Sequence, residues 1–142
     1  MTDKASLGAL QFVNGFFIEM NLWEVEFFAA RKKNLASGRD DPELKNHYGE
    51  KLEDVLNRFA LKDKSNFGRL IDLGCVNPPT YDPKTDVIDI ISEGKNEVVV
   101  GVQQTVGAEV TSRITMIYKV GRWVIKKKES MTYDDKWKRA PL

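Results

Sequence analysis

The chain has a single cysteine and a single histidine in its 142 residues. Cys75 alone permits no intrachain disulfide framework and no cysteine-based metal site. His47 alone permits no histidine cluster and no pair of cooperating histidines. An excess of charge of one sign is also missing. The 22 Lys and Arg against 21 Asp and Glu leave a net charge of +1, so the whole molecule exerts no long-range attraction on nucleic acid or anionic lipid. The most hydrophobic stretch, Leu10 to Phe28, is interrupted by Asn14, Glu19, Asn21, Glu24 and Glu26, which argues against a membrane span. The start of the chain, Met1 to Leu7, lacks the basic region and clean apolar core of a signal peptide. These absences predict a protein of the reducing cytoplasm with no membrane partner. Phosphate-binding loops, dinucleotide glycine motifs, nucleophile elbows and paired-histidine zinc helices do not occur. No catalytic residue, cofactor or metal is expected.

What is present is ordinary globular material. Hydrophobic residues make up 42% and charged residues 30%, enough for a core. The length fits one domain over 1–142. Leu7 to Leu35 reads as one long helix. Leu10, Val13, Phe17, Met20, Trp23 or Glu24, and Phe27 recur at three- and four-residue steps. Phe12, Phe16, Leu22 and Phe28 widen the apolar stripe, so this helix is buried on more than one side or faces a partner. Asp41 and Pro42 suit the cap and first position of a second helix, Pro42 to Ala60, with Leu44, Tyr48, Leu52, Val55, Leu56 and Phe59 on one side. Phe67 to Cys75 fits a short helix or a strand. Pro78, Pro79 and Pro83 keep the following segment irregular.

From Asp86 to Met131 the pattern changes to period two. Asp86 to Ser92, Asn96 to Val106, Glu109 to Val120 and Arg122 to Met131 read as antiparallel strands, separated by Gly94, Gly107 and Gly121. One apolar face of such a sheet must be covered, and the helical first half is the available cover. The fold class is therefore α+β, with N-terminal helices packed on a curved antiparallel sheet of about four strands or more. Thr132 to Leu142 is a charged tail carrying Tyr133 and Trp137.

Several side-chain groups are candidates for chemistry. His47 reads as a surface histidine of the second helix, and Cys75 as a buried thiol. Asp82, Asp86, Asp89, Glu93 and Glu97 cluster at the start of the sheet. They are solvated turn residues, an acid–base pair, or a negative patch for a basic partner. On an unbroken alternation, Lys126 and Lys128 point outward with Val124, while Lys127 and Glu129 point inward with Trp123 and Ile125. Lys127 then lies opposite Ile114, and Glu129 opposite Ser112. With Gln104 they make a polar group (Gln104, Ser112, Lys127, Glu129) at one end of the apolar face, either a solvated mouth or a ligand pocket. Arg31–Lys33 and Lys126–Lys128 are basic, but no aromatic stacking platform is interleaved with them, so no nucleic-acid partner is expected.

The order of elements resembles the NTF2-like cone. The ending, Gly121-Arg122-Trp123-Val124-Ile125-Lys126 followed by Tyr133, Trp137 and Leu142, is similar to the NTF2-fold immunity proteins of bacterial polymorphic toxin systems. The strand Thr111 to Lys119 and the aromatic first helix ending in Arg31-Lys32-Lys33 fit the same scheme. The resemblance implies a cytoplasmic toxin inhibitor, not an enzyme, that binds a cognate toxin domain and blocks its active site or substrate entry. Tyr81, Tyr133 and Trp137 would then anchor the partner, with Asp82, Asp86, Asp89 and Glu93 meeting a basic cleft. Two rivals stand beside it. One is an NTF2-like isomerase, dehydratase or cyclase using Lys127 and Glu129. The other is a homodimer through the outer sheet face at Val99, Gly101, Thr111, Thr115, Ile117 and Val124.

Overall fold

The computed structural model describes residues 4–39 and 41–142. Helix α1 spans Lys4–Ala36 and helix α2 spans Pro42–Phe59. One 3-10 turn, Gly68–Leu70, is all that forms in the ambiguous stretch after them. Five strands follow: β1 Val87–Glu93, β2 Glu97–Gln103, β3 Thr111–Lys119, β4 Arg122–Met131 and β5 Trp137–Ala140. They pair antiparallel in chain order, each strand beside the next.

The wide apolar stripe of α1 serves two neighbours. Val13, Phe16, Phe17, Met20, Trp23 and Phe27 are all buried. Toward α2, Phe27 stacks on Tyr48 with centroids 4.9 Å apart, and Phe16 meets Phe59 edge-on at 5.6 Å. Trp23 Nε1 donates to the Tyr48 carbonyl at 2.8 Å, which satisfies the buried indole N–H. Helix α2 starts as its cap predicts: Asp41 Oδ1 accepts from the Glu43 amide at 3.0 Å. Tyr48, Leu52, Val55 and Leu56 form its buried side.

Against the helices lies the inner face of the sheet. Val98, Val100 and Val102 of β2 pair with Met116, Ile114 and Ser112 of β3. The five apolar residues among them are in the core with Ile125 of β4. Each such side chain contributes roughly 1.5–3 kcal/mol through burial.

The alternation expected for β4 holds only as far as Ile125. Met116 pairs with Ile125, but Thr115 pairs with Lys127, so Lys126 is an extra residue without a partner across the ladder. A bulge of one residue exchanges the faces of everything after it. Lys128 and Ser130 therefore point inward, opposite Ile114 and Ser112. Lys127 and Glu129 point outward, opposite Thr115 and Arg113. This corrects the inward placement of Lys127 and Glu129 and the outward placement of Lys128.

The segment after α2 holds the bulge in place. The Leu61 amide donates to the Ile125 carbonyl at 2.9 Å. Asn66 is fully buried, and its Nδ2 donates to both the Leu61 and the Lys126 carbonyls at 3.0 Å. The Asn66 amide and the Arg139 guanidinium, both bonded to Asp63, hold that carboxyl below its ordinary range.

The charged tail contains the fifth strand. Trp137 to Ala140 pairs with Met131 to Lys128. Its composition hid it: Lys138 and Arg139 blunt an edge strand against pairing with other chains. Beyond it, Leu142 is fully buried in the core.

The β3–β4 turn carries local strain. Val120 and Gly121 have φ of 50° and 76°, as a two-residue hairpin with both central residues left-handed requires. Gly121 adopts this freely, whereas a β-branched residue does not. Val120 is 93% exposed, so packing does not compensate.

Asn66→Ala should cost about 2 kcal/mol, because it removes the partner of two part-buried carbonyls; urea denaturation measures it. Val120→Asn should stabilise the protein by about 1 kcal/mol in the same assay, since Asn tolerates the left-handed region.

Candidate functional site

Two surfaces carry the polar chemistry of this fold. The first is a cleft of ≈ 480 Å³ between α1, the proline-rich segment and the inner sheet face. One side is built by Glu24, which lies on the apolar stripe of α1 and is 1% exposed. Its carboxylate accepts three hydrogen bonds: from Arg69 Nη2 at 2.8 Å, from the Val76 amide at 2.9 Å and from the Thr80 amide at 2.7 Å. The Arg69 guanidinium also sits over the Trp23 ring, 4.9 Å from its centroid. The segment is thereby tied to the helix, and the buried charge is compensated. Asn21 adds a bond from Nδ2 to the Tyr81 carbonyl at 2.8 Å.

Tyr81 is 2% exposed, stacked on Phe17 at 5.2 Å and edge-on to Phe16 at 5.4 Å. It is a core residue, which corrects its expected role as a partner anchor. Its hydroxyl accepts from Lys128 Nζ at 3.0 Å, and that lysine is itself buried. Gln104 and Ser112 line the cleft as expected. Gln104 closes its rim: Nε2 donates to the Thr80 carbonyl at 2.8 Å and Oε1 accepts from the Val110 amide at 3.0 Å. Cys75 also lines the cleft and is half-buried. Burial pushes its thiol pKa up, against the opposing influence of the Arg31 charge, so the reactive thiolate is disfavoured. His47 is exposed on α2, edge-on to Tyr48.

The expected acidic patch divides. Asp82 and Asp86 build the turn before β1. The Asp82 amide donates to Asp86 Oδ2 at 2.9 Å, and Asp82 Oδ1 accepts from the Lys84 amide at 3.0 Å. Desolvation, with the Asp82 charge in support, raises the Asp86 pKa. These two carboxylates are partly exposed and each accepts a local amide bond that shapes the turn. Asp89 and Glu93 are exposed on β1, about 13 Å apart along the strand.

The second surface is the outer sheet face. Arg113 Nε and Nη2 donate to the two Glu129 oxygens at 3.0 and 3.3 Å. Lys127 Nζ lies 3.7 Å from Glu129 Oε1. The Arg113 guanidinium caps the Trp137 ring at 4.2 Å, so Trp137 is partly packed and partly open. Arg113 holds the Glu129 carboxyl below its ordinary range. Val87 and Ile91 remain about half exposed on this side, and Tyr133 projects fully into solvent from the β4–β5 turn. Lys127 and Glu129 thus form an outer ion-pair network and are not an acid–base pair inside the cone.

Among the described residues, no cluster of three or more His, Cys, Asp or Glu has a metal-binding arrangement, and no helix is long and apolar enough to cross a membrane. Sequence reasoning missed Glu24, Arg69 and Lys128. The available signal was Glu24 itself, a carboxylate at a stripe position of an otherwise apolar helix face.

Two helices laid on one face of a five-stranded antiparallel meander, with a cleft between them, define an NTF2-like α+β protein. The chain belongs to the NTF2 fold immunity protein family, whose profile matches residues 9–141. It is 34% identical over 125 residues to Immunity protein RhsIA of Dickeya dadantii (strain 3937), an alignment covering 86% of this chain and 87% of that protein. No solved structure matches it at a significant level.

Glu24→Gln should destabilise the protein by about 3 kcal/mol, because it leaves the Arg69 guanidinium without its compensating charge. Amide exchange should rise first at Val76 and Thr80. Protection there equal to wild type would show that Glu24 does not hold the segment.

Proposed function

We propose that this protein protects the cell that makes it by binding a cognate toxin domain stoichiometrically in the cytoplasm, without catalysis. The observation that carries this reading is the continuous family match over residues 9–141, joined by the similarity to RhsIA along most of both chains. Inhibition of this kind needs a complementary surface and no catalytic constellation. The outer sheet face suits it. Half-exposed Val87 and Ile91 flank Asp89, and the Arg113–Glu129 pair frames Trp137. Aromatic and Arg side chains with an apolar centre and a charged rim are the usual composition of such surfaces. Asp89, Tyr133 and Trp137 are the proposed contacts, whereas Glu93 lies beyond the register shift in β1, opposite inward-facing Val98. A homodimer through the outer face, expected at Val99, Gly101, Thr111, Thr115, Ile117 and Val124, would compete with the toxin there, but burial of Thr115 and Val124 removes those two from any such contact.

Tagged protein used as bait should retain one stoichiometric partner carrying a toxin domain. Recovery of the chain alone would reject the reading. With the partner in hand, Trp137→Ala should weaken binding about tenfold or more, and Asp89→Lys should slow association in low salt. Unchanged kinetics in these variants, if folded, would move the interface elsewhere.

A further inference from the structure

The cleft on the inner face holds positive charge that the protein itself leaves uncompensated. Lys128 is 7% exposed, yet the partner of its Nζ is a neutral phenol, Tyr81 Oη at 3.0 Å, with the same ring 4.5 Å away. Arg31 reaches the cleft from α1, close enough to the Cys75 thiol to act on it electrostatically. Among the described residues, neither cation has a carboxylate within ion-pairing distance. Three side-chain carboxylates lie near. Glu24 is saturated by Arg69 and two amides, Asp72 is exposed at the rim, and Asp86 acts on Lys128 only through space. Ser112 and Ser130 face each other across β3 and β4, two positions along from Ile114 and Lys128 on the same face, and neither hydroxyl has a hydrogen-bond partner among the described residues. Val102, Val110, Val76 and Leu142 supply apolar wall.

A buried cation with only a neutral partner is costly, and this one is brought inside by a bulge that a buried asparagine maintains. We infer that the cleft binds a small organic carboxylate, its head group on Lys128 with Ser112 and Ser130 beside it, Arg31 closing from the helix, and its apolar body along Val102 and Leu142. The volume of ≈ 480 Å³ lies within the range of small-molecule sites, roughly 300–1,000 Å³. The site is on the opposite face of the sheet from the proposed toxin surface and does not depend on that reading.

The test is titration of the intact protein with octanoate and with uncharged octanamide, followed by calorimetry and thermal unfolding. Octanoate should bind and raise Tm, and octanamide should bind at least about tenfold more weakly, the difference a charge-assisted hydrogen bond makes. Lys128→Met keeps the length of the side chain and removes a buried charge, so it should fold at least as stably as wild type and lose octanoate about tenfold or more. Arg31→Met, at the rim, should weaken octanoate less. No binding by wild type overturns the inference, as does equal binding of octanamide or undiminished binding by a folded Lys128→Met. Loss of toxin protection in Lys128→Met without octanoate binding by wild type would assign the cation to an acidic side chain of the partner, and would also overturn it.

Discussion

One unpaired residue in β4 decides what both faces of this sheet can do. Side chains alternate with a strict period of two, so the extra residue at Lys126 turns Lys128 and Ser130 into the cleft and Lys127 and Glu129 out to solvent. The bulge needs a partner for the carbonyl it removes from the ladder. Asn66 provides it from the loop after α2, with Leu61 pairing alongside at Ile125. The register carries on into β5, where Lys128 pairs with Ala140 and Met131 with Trp137, which sets Trp137 on the outer face under Arg113.

A second constraint comes from the helix side. Glu24 is a carboxylate in an apolar surround, and its three hydrogen bonds are what make that burial tolerable. In return the proline-rich segment, unable to form regular structure, is fixed over the inner face and becomes a wall of the cleft. Tyr81 continues the same arrangement, packed on Phe16 and Phe17 and bonded to Lys128. The core thus runs without interruption from an aromatic cluster into a polar pocket. The fold keeps this pocket and the charged outer face on opposite sides of one sheet, so a protein partner and a small ligand need not exclude each other.

Much of the fold was legible because it rests on local pattern. The stripe Val13, Phe17, Met20, Trp23, Phe27 named the buried side of α1, the Asp41–Pro42 cap named the start of α2, and the glycine-punctuated alternation named four strands. Strand β5 escaped because four residues rich in Lys and Arg have the composition of an edge and no apolar alternation. The candidate site was legible only in part. Gln104 and Ser112 were placed at the cleft because their strands are regular, whereas Lys127, Glu129 and Lys128 were assigned to the wrong faces because a bulge leaves no mark in the pattern of a run of lysines. Tyr81 was read as an anchor because nothing local distinguishes a tyrosine used inside the protein from one offered to a partner.

By itself, the sequence determined the α+β class, the order of the elements, the apolar face of each helix and of β2 and β3, and the family. All of these follow from periodicity and from residues close together in the chain. Only the tertiary structure decided which lysine is buried, which carboxylate is saturated and which aromatic is free. Those outcomes depend on bonds between residues far apart in sequence, Glu24 to Val76 and Thr80, Asn66 to Lys126, Tyr81 to Lys128. The physical reason is that a buried polar group is stable only where a partner meets it, and the partner here arrives from a distant segment.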